Sequence, residues 1–341
     1  MKDLLLLWNF FLNAVKMKIL VTGANGLLGH RVVMELLKRN ISVKIIVRST
    51  RNIYFDLSLV EIFEGNFSNY KQLKAAAEGC DAIIHIAAVT ATDLIHYEDY
   101  RKINVEGVAQ ILKVADEIDI KNLVYVSSSN TIGFGTEQQL ADERSDIQNP
   151  FSKSFYAQSK VESEKLVVET SGKENRHFVI INPTFMIGAY DPKPSSGKLM
   201  LMGYKRWLMF TPKGGKNFVP VQDVAVAVCN ALTQGKNGER YLASGVNLSF
   251  SEFYNLQKKI VGYKQYLIKI PNFLLFLIGK AGDLLRKMGI KTEICSMNLN
   301  QLKIREYYSN KKAKTDLNLP ETDLKIAIKE AIDWFKTHNM T

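Results

Sequence analysis

The chain has few of the residues that build metal centres and covalent cross-links. Its 341 residues include three cysteines and five histidines. The cysteines lie far apart in the sequence without a C-x-x-C pair, and no histidine clusters with them. Because disulfide frameworks and zinc sites use closely spaced cysteines and histidines, the sequence predicts neither a disulfide nor a metal site. It also favours a reducing compartment, and we expect the protein in the cytoplasm.

The sequence contains no apolar run long enough to cross a bilayer, which takes about 20 residues. Residues 1–16 are largely apolar, but they include Asp3 and lack the small-x-small cleavage site of a signal peptide. Since Met17 opens the pattern M-K-I-L-V-T-G, which suits a first strand, we interpret residues 1–16 as an N-terminal extension. A targeting or membrane-contact role of this extension stays the alternative.

A second apolar run covers residues 271–279, and charged residues follow it within two helical turns: Lys280, Asp283, Arg286 and Lys287. This pattern favours an amphipathic helix packed on the protein over a helix that lies on a membrane surface. The two runs together predict no stable membrane insertion.

The chain has an excess of positive charge, with a formal net charge of +11. Its lysines and arginines are spread along the sequence, and no basic stripe with interleaved aromatic residues or recognition-helix pattern is present. Such patterns mark nucleic-acid-binding proteins, so the sequence predicts no nucleic-acid partner. A solvated basic surface with one pocket for an anionic ligand fits the distribution better.

Short apolar runs alternate with segments of helical periodicity through the first half of the chain. The predicted strands cover residues 18–21, 43–47, 59–63, 82–86, 123–126 and 178–181. The predicted helices between them cover residues 28–39, 70–77, 103–118 and 156–169. Strands this apolar need cover on both faces, which predicts an α/β fold with a parallel, doubly wound sheet.

The pattern changes after residue 183. Residues 188–215 contain several prolines and glycines and cannot form one regular element, so we expect a substrate loop there. A helix at 223–232 and a strand at 241–244 return to the core, and the remainder is largely helical. We therefore predict a main domain of residues 17–187 that also receives about 216–245, and a substrate-binding cap made of 188–215 and 246–341.

A glycine-rich turn connects the first strand to the first helix. Gly23, Gly26 and Gly29 recur at a spacing of three, where they let the backbone turn tightly and let a pyrophosphate approach the helix N-terminus. The spacing differs from the G-x-G-x-x-G fingerprint, but the strand and helix around it favour a bound dinucleotide over a merely tight connection.

The second predicted strand ends in Arg48, and no acidic residue follows until Asp56. An acid at this point binds the adenosine ribose of NAD, whereas an arginine pairs with the 2′-phosphate of NADP. The sequence therefore predicts NADP, with NAD as the alternative. His85 closes the fourth strand, where a buried structural role and contact with the cofactor stay equally open.

Tyr156 and Lys160 stand four residues apart and therefore on one face of a helix. A nearby ammonium favours the phenolate and lowers the pKa of a tyrosine, which suits proton exchange at neutral pH. The spacing Y-x-x-x-K occurs five times, but only this copy opens a helix after a serine run, Ser127 to Ser129, at the end of a strand. A hydroxyl there can polarise a reacting carbonyl oxygen, although a helix-capping role is the alternative.

These segments together resemble one family. From Met17 onward the chain is similar to the extended short-chain dehydrogenases/reductases, and the segments that carry the likeness are T-G-A-N-G-L-L-G, H-I-A-A, N-V-E-G, V-Y-V-S-S-S, Y-A-Q-S-K, N-P-T-F-M-I-G and N-F-V-P-V-Q-D-V-A. The V-R after the second strand and the N-P-T-F-M-I-G segment resemble the dihydroflavonol-4-reductase-like and 3β-hydroxysteroid-dehydrogenase-like branch of this NAD-dependent epimerase/dehydratase superfamily.

The resemblance implies a Rossmann-type fold and a set of site residues. It implies that Ser128 binds the substrate, that Tyr156 is the acid/base and that Lys160 activates it. The cofactor-binding residues that it implies or that the sequence places at the same edge are Gly23, Asn25, Gly26, Leu27, Leu28, Gly29, Arg48, Asn66, Phe67, Ala87, Ala88, Asn104, Ser127, Tyr156, Lys160 and Pro183. Two positions depart from the family: Asn66 replaces a usual aspartate, and Lys216 replaces an arginine of many sugar-nucleotide epimerases.

We therefore expect an NAD(P)-dependent oxidoreductase that reduces a carbonyl or oxidises a secondary alcohol of a small substrate. The apolar residues 199–210 favour a hydrophobic one. A nucleotide-sugar epimerase or dehydratase with tightly bound NAD is the first alternative, and a non-catalytic sensor of the NADP/NADPH ratio is the second. A homodimer is compatible with the sequence.

Overall fold

Seven parallel strands form the central sheet of the protein, whose computed structural model describes residues 17–341. The strands of this sheet are β1 (Lys18–Thr22), β2 (Ser42–Val47), β3 (Glu61–Glu64), β4 (Ala82–His85), β5 (Asn122–Val126), β6 (His177–Pro183) and β10 (Arg240–Ala243). Their spatial order is β10-β6-β5-β4-β1-β2-β3, so the chain winds outward in both directions from β1 and β4. The predicted Rossmann-type fold is confirmed. The predicted extension at residues 1–16 lies outside the described residues.

Two hydrophobic cores cover the faces of this sheet. One contains α1 (Leu27–Lys38), α7 (Val221–Asn230) and α11 (Lys311–Leu317), and the other contains α2 (Tyr70–Ala77), α4 (Glu106–Glu117) and α5 (Phe155–Ser171). Successive strand residues point to opposite faces, so the short runs of Val, Ile and Leu supply both cores. Helix α4 follows α3 (Tyr97–Tyr100) and a π-helical turn at Arg101–Val105. This π-helical turn takes the place of the first residues of the helix predicted at 103–118.

The remaining strands and helices form a smaller layer beside the carboxyl ends of the sheet. Strand β9 (Gly215–Pro220) pairs with β7 (Phe185–Ile187), β11 (Val246–Ser249) and β13 (Arg305–Glu306), and β8 (Leu208–Thr211) pairs with β12 (Tyr266–Lys269). The helices are α6 (Gly197–Gly203), α8 (Phe250–Val261), α9 (Asn272–Lys287), α10 (Ser296–Gln301) and α12 (Leu324–Thr337). A third core joins α6, α8 and α12, with the rings of Phe218 and Phe253 stacked at 4.3 Å.

One predicted strand and one predicted loop differ in detail from the structure. The third strand begins at Glu61 rather than at residue 59, because Leu57–Leu59 forms a 3-10 turn that Asp56 caps through the backbone N–H of Ser58. Residues 188–215 form no single element, as predicted, but they contain α6 and β8, which the sequence did not indicate.

Helix α9 packs differently from the amphipathic helix that the sequence favours. Its buried positions are Leu275, Gly279 and Gly282, and a Cβ added at Gly282 would lie 1.8 Å from the carbonyl oxygen of Ile294. The helix therefore contacts the protein along a narrow stripe of one leucine and two glycines. Most of its other large apolar side chains face outward. None of the helices in residues 17–341 is both long and apolar enough to cross a membrane.

A hydrogen-bonded pair at the end of β1 and β4 lies within the apolar core. The hydroxyl of Thr22 lies 2.7 Å from Nδ1 of His85, and its oxygen also accepts the backbone N–H groups of Ile86 and Ala87 at 3.2 Å. Because that oxygen already accepts two N–H groups, the hydroxyl donates to Nδ1 and the imidazole is neutral. His85 is thus satisfied by a side chain and not by the backbone, and burial lowers its pKa to about 3, with Lys160 acting in the same direction.

We predict that this histidine destabilises the fold in acid. The folded state keeps His85 neutral while the unfolded chain binds a proton below the ordinary value of 6.5, so the free energy of unfolding should fall as pH falls from 6.5 to about 3. In His85→Asn the amide oxygen can accept the Thr22 hydroxyl but does not titrate. Urea unfolding across this range should show a shallower pH dependence for His85→Asn than for the wild type.

The exposed His96 provides the matched control. His96→Asn should retain the wild-type slope. Parallel pH profiles for the wild type and His85→Asn would contradict the assignment.

Candidate active site

The glycine turn after β1 lies at the carboxyl edge of the sheet and is fixed by close backbone contacts. Gly23 has a φ of +74°, and a Cβ there would lie 2.7 Å from the backbone nitrogen of Ala87. A Cβ at Gly29 would lie 2.0 Å from the carbonyl oxygen of Gly23. These two glycines are therefore required by the fold itself, and they hold the start of α1 against the loop that follows β4.

Gly26 differs from its two neighbours because no packing requirement explains it. A Cβ at Gly26 would meet only the carbonyl oxygen of Gly23, at an ordinary 3.5 Å. Gly26 is the N-cap of α1, it supplies no side-chain cap, and the first turn of the helix contains no acidic residue. The N–H groups of Leu27 and Leu28 thus point into an open, positively polarised helix end, which fits a dinucleotide pyrophosphate.

Arg48 and Asp56 have different surroundings in the structure. Arg48 is exposed directly after β2, at the same edge as the glycine turn. The carboxylate of Asp56 instead accepts the backbone N–H of Ser58 at 2.9 Å and its hydroxyl at 2.7 Å, which lower the pKa of Asp56. This carboxylate therefore caps a local turn, and the charged residues at the end of β2 are Arg48 and, on the neighbouring strand in register with Val47, Glu64.

Asn66 and Phe67 follow β3 at this edge. The side-chain oxygen of Asn66 accepts the backbone N–H of Ser68 at 3.0 Å, so its carbonyl group is engaged in a turn while its NH₂ group remains a possible donor. The ring of Phe67 lies 5.3 Å from that of His85 and covers Gly107. Asn25 is exposed in the glycine turn, Ala87 and Ala88 are partly exposed after β4, and Pro183 is buried at the end of β6.

Asn104 is buried between the loop after β4 and α5. Its side chain exchanges hydrogen bonds with the backbone of Val89, at 2.8 and 3.1 Å, and its NH₂ group donates to Ser159 at 3.0 Å. These contacts join the loop to the helix that carries Lys160. Contact of Asn104 with the cofactor stays a prediction.

The three serines after β5 are not equivalent. Ser127 and Ser129 are buried, whereas Ser128 is partly exposed and its hydroxyl oxygen accepts the N–H of Asn130 at 3.2 Å. The Ser128 hydroxyl acts to lower the pKa of Tyr156. Of this run, only Ser128 therefore presents its side chain beside the phenol.

Tyr156 and Lys160 lie on the first two turns of α5, which Ser154 caps. Tyr156 is partly exposed, while Lys160 is buried and its ammonium donates to the hydroxyl of Tyr125 at 3.1 Å and to the carbonyl of Val126 at 2.8 Å. Burial raises the pKa of Tyr156 and lowers the pKa of Lys160 to about 7. The expected lowering of the Tyr156 pKa by Lys160 is therefore not what the structure shows, because burial opposes it and the ammonium is directed to β5.

A buried polar network supports this part of α5. Glu164, one turn after Lys160, accepts hydrogen bonds from Thr131 at 2.8 Å and from Asn182 at 2.7 Å, and Arg240 lies 3.6 Å away. The negative charge of Glu164 acts to raise the pKa of both Lys160 and Tyr156. The buried face of α5 is therefore polar, which explains why it lacks the apolar periodicity of a core helix.

A cavity of about 190 Å³ opens at Tyr156. It is lined by Thr92, Leu94, Tyr100, Asn130, Lys153, Ser154, Phe155, Tyr156, Arg286, Met297, Asn298 and Gln301. The last four come from α9 and α10, whereas the predicted substrate loop, residues 188–215, contributes none. Met200, Leu199 and Met209 of this predicted loop pack into the third core instead. Sequence patterns did not indicate the cap residues, because they share no motif and meet only in the fold.

The described residues offer no metal centre beside this cavity. Within residues 17–341 no three His, Cys, Asp or Glu side chains lie together as a metal site would require. The polar side chains that line the cavity include hydroxyl, ammonium and amide groups.

Comparison with known proteins places this geometry in a family. Residues 19–244 match the model of the NAD dependent epimerase/dehydratase family. The chain is 28% identical over 332 residues to the "Putative dihydroflavonol 4-reductase" of Synechocystis sp., which covers 93% of this chain and 94% of that protein. It is 25% identical over 331 residues to the sterol demethylase protein B of Methylococcus capsulatus, covering 95% and 100%.

Solved structures agree with the sequence comparison. The crystal structure of gox2253 superposes with a TM-score of 0.82 and 28% identity, covering 96% of this chain and 99% of that one. The UDP-glucose 4-epimerase of Thermus thermophilus in complex with NAD superposes with a TM-score of 0.73 at 18% identity, over 94% and 99% of the two chains, and shows the shared fold.

The family match extends from β1 through β10 and includes the glycine turn, the serine run and α5. The chain belongs to the NAD dependent epimerase/dehydratase family and is an NAD(P)-dependent oxidoreductase of the extended short-chain dehydrogenase/reductase type.

Proposed function

We propose that the protein interconverts a carbonyl and a secondary alcohol on a small, largely apolar substrate, with NADP(H) as cofactor and Tyr156 as the acid/base. The observation that carries this proposal is the placement of Tyr156. Its partly exposed phenol lines a cavity and is influenced by the Ser128 hydroxyl, and Lys160 is buried one helical turn further along α5. The uncapped end of α1 lies at the same edge.

Tyr156, Ser128 and Lys160 would have separate roles in the reaction. When bound, the nicotinamide supplies the hydride in reduction and accepts it in oxidation. Tyr156 gives a proton to the carbonyl oxygen as it becomes a hydroxyl, and Ser128 donates a hydrogen bond to the same oxygen and polarises it. The ammonium of Lys160 is held by Tyr125 and Val126, so its role would be to hold the nicotinamide ribose with its remaining N–H rather than to lower the pKa of Tyr156.

The cofactor residues follow from the glycine turn and from Arg48. The N–H groups of Leu27 and Leu28, which follow Gly26, would hold the pyrophosphate, and Arg48 would pair with the 2′-phosphate of NADP. The engagement of Asp56 in its own turn supports this choice, because that carboxylate is then not available to the ribose hydroxyls. Phe67, Ala87 and Ala88 line the same edge and leave room for the adenosine and ribose.

The cavity favours a substrate with an apolar body and a few polar groups. Leu94, Tyr100, Phe155 and Met297 provide apolar surface around Tyr156, while amide groups of Asn298 and Gln301 enter from the cap. The names of two relatives, a putative dihydroflavonol 4-reductase and a sterol demethylase protein, support this class, because dihydroflavonols and sterols are built on hydrocarbon ring systems. A hydrophobic ketone or alcohol is therefore the substrate class that we propose.

An epimerase or dehydratase remains the second candidate, and the shared fold with UDP-glucose 4-epimerase is the observation behind it. The position that binds a nucleotide diphosphate in many such enzymes holds Lys216, whose ammonium forms a buried ion pair with Glu306 at 2.5 Å. A side chain so engaged does not serve a second anion. Stoichiometric NAD released from the purified, denatured protein would favour the epimerase; a protein that binds NADPH reversibly supports the reductase.

Replacing the proposed acid/base gives the first test. Tyr156→Phe should lower kcat for NADPH-dependent reduction of a ketone panel by about a hundredfold or more, because it removes the only transferable proton of the side chain. Tyr70→Phe is the matched control, since Tyr70 has the same Y-x-x-x-K spacing but pairs with Glu117 on the surface. Equal rates for Tyr156→Phe and the wild type would refute catalysis and favour the sensor.

The glycines of the turn separate folding from cofactor binding. Gly26→Ala should keep the thermal unfolding midpoint within about 3 °C, because its Cβ has space. It should nevertheless raise the Kd for NADPH on the order of tenfold, since the methyl group enters the phosphate site. Gly29→Ala should instead lower the free energy of unfolding by about 3 kcal/mol, because its Cβ would overlap the backbone. Calorimetry and urea unfolding measure the two effects, and normal NADPH affinity in Gly26→Ala would count against this site.

Arg48 tests the choice of cofactor. Arg48→Ala should raise the KM for NADPH by about tenfold and leave the KM for NADH unchanged, because only NADPH carries the 2′-phosphate. Steady-state kinetics with both cofactors measure this difference. Arg144→Ala, which removes a guanidinium whose side chain is 90% exposed, should change neither value. An equal change for both cofactors in Arg48→Ala would overturn the NADP assignment.

A further inference from the structure

The outer side of α9 carries large apolar side chains that no segment of residues 17–341 covers. Phe273, Leu277, Leu284 and Met288 are 67%, 56%, 61% and 68% exposed. At 100° per residue these four lie along one line of the helix, opposite the buried stripe of Leu275, Gly279 and Gly282. The helix thus turns its apolar side away from the protein, which is the reverse of a helix packed on a core.

The β8–β12 ribbon, which precedes α9 in the chain, carries further exposed apolar side chains. Trp207 and Tyr266 are 68% and 61% exposed, and their rings lie 5.5 Å apart. Phe210 and Ile268 on the same two strands are 53% and 46% exposed. Strand β12 ends at Lys269 and α9 begins at Asn272, so the ribbon runs directly into the helix. We call these eight residues the cap patch: Trp207, Phe210, Tyr266, Ile268, Phe273, Leu277, Leu284 and Met288.

The chain around the cap patch is basic. Between Asp191 and Asp223 it has six basic residues and no acidic one, and residues 262–292 contain six basic residues and one acid, Asp283. Oδ1 of Asp283 accepts the backbone N–H of Ser296 at 2.9 Å, so this acid is engaged on the inner side. The exposed basic residues of the two segments include Lys205, Arg206, Lys264, Lys269, Lys280, Lys287 and Lys291. A large apolar patch with a basic surround is rare on a monomer that contacts only water.

We propose that the cap patch is a peripheral membrane-binding surface, which places α9 in the headgroup region of a bilayer containing anionic phospholipid. The apolar line of α9 would enter the acyl boundary, Trp207 and Tyr266 suit the interface, and the lysines and arginines would pair with lipid phosphates. A second copy of the chain is a poorer occupant, because two basic surrounds would then face each other. This role is additional to the reaction proposed above.

The inner side of the same helix reaches the cavity at Tyr156. Arg286 lines that cavity, and its guanidinium donates to the carbonyl of Thr92 at 2.7 Å. One helix therefore presents its outer line to the bilayer and its inner edge to the cavity. An apolar substrate that partitions into lipid would then be concentrated next to the cap.

Vesicle flotation of the full-length protein tests the proposal. The wild type should float with phosphatidylcholine vesicles that contain about a quarter phosphatidylglycerol and bind pure phosphatidylcholine more weakly. Leu277→Asp/Leu284→Asp should bind at least about tenfold more weakly, because two charges enter the apolar line. Lys280→Glu/Lys287→Glu should lose the preference for the anionic vesicles.

Three controls keep the outcome interpretable. Val168→Asp places one such charge on an exposed apolar position near the end of α5 and should bind like the wild type. Leu5→Asp/Leu6→Asp changes the N-terminal apolar run and should also retain binding. Thermal unfolding midpoints that match the wild type confirm that each variant is folded.

Three results would overturn the proposal. The first is vesicle binding by Leu277→Asp/Leu284→Asp that equals the wild type. The second is binding that disappears only in Leu5→Asp/Leu6→Asp, which would place the anchor at residues 1–16. The third is a wild-type protein that ignores vesicles but forms a dimer in sedimentation velocity that Leu277→Asp/Leu284→Asp dissociates, which would make the cap patch a subunit interface.

Discussion

The close backbone contact between the glycine turn and its two neighbours is the constraint on which the site depends. The carbonyl of Gly23 leaves no room for a side chain at Gly29, and Gly23 itself lies against Ala87. This contact sets the distance between the end of β1, the start of α1 and the loop after β4. Thr22 stabilises the same contact, because its hydroxyl donates to His85 and accepts two backbone N–H groups of that loop. A helix end with free N–H groups is thereby fixed at the carboxyl edge of the sheet.

The second half of the site depends on a helix with an unusual interior. Helix α5 carries Lys160, Ser163 and Glu164 on its buried face, where most helices place leucine or valine. Hydrogen bonds from Asn104, Thr131 and Asn182 satisfy this face and connect it to the loops after β4 and β5 and to β6. The polar interior fixes the orientation of the helix without filling its N-terminal end with apolar side chains. That end can therefore present Tyr156 to the cavity.

The sequence predicted the sheet and the dinucleotide edge well, because both depend on local patterns. Apolar runs of four to six residues, a glycine spacing and a serine run each occur within a short segment, and parallel topology brings their ends to one edge. The pKa of Tyr156 could not be predicted in this way, since burial by surrounding elements outweighs the spacing to Lys160. The hydrogen bonds of Asn104 could not be predicted either, because its partners Val89 and Ser159 are distant in sequence. The cap residues that line the cavity meet only through tertiary packing. The apolar side of α9 faces outward because Gly279 and Gly282 pack against the protein, and hydrophobic periodicity does not take glycines into account.

The return of the chain from the cap has a consequence for how this protein tolerates change. The chain leaves the main sheet after β10 and comes back in α11, where Ala313 and Leu317 join the same core as α1. Residues 246–310 are therefore anchored on that core at both ends, while α8 within them packs against α6 and α12 on either side of the segment. A cap that changes to accept a new ligand must keep this third core together, whereas the dinucleotide edge depends on contacts of the main sheet.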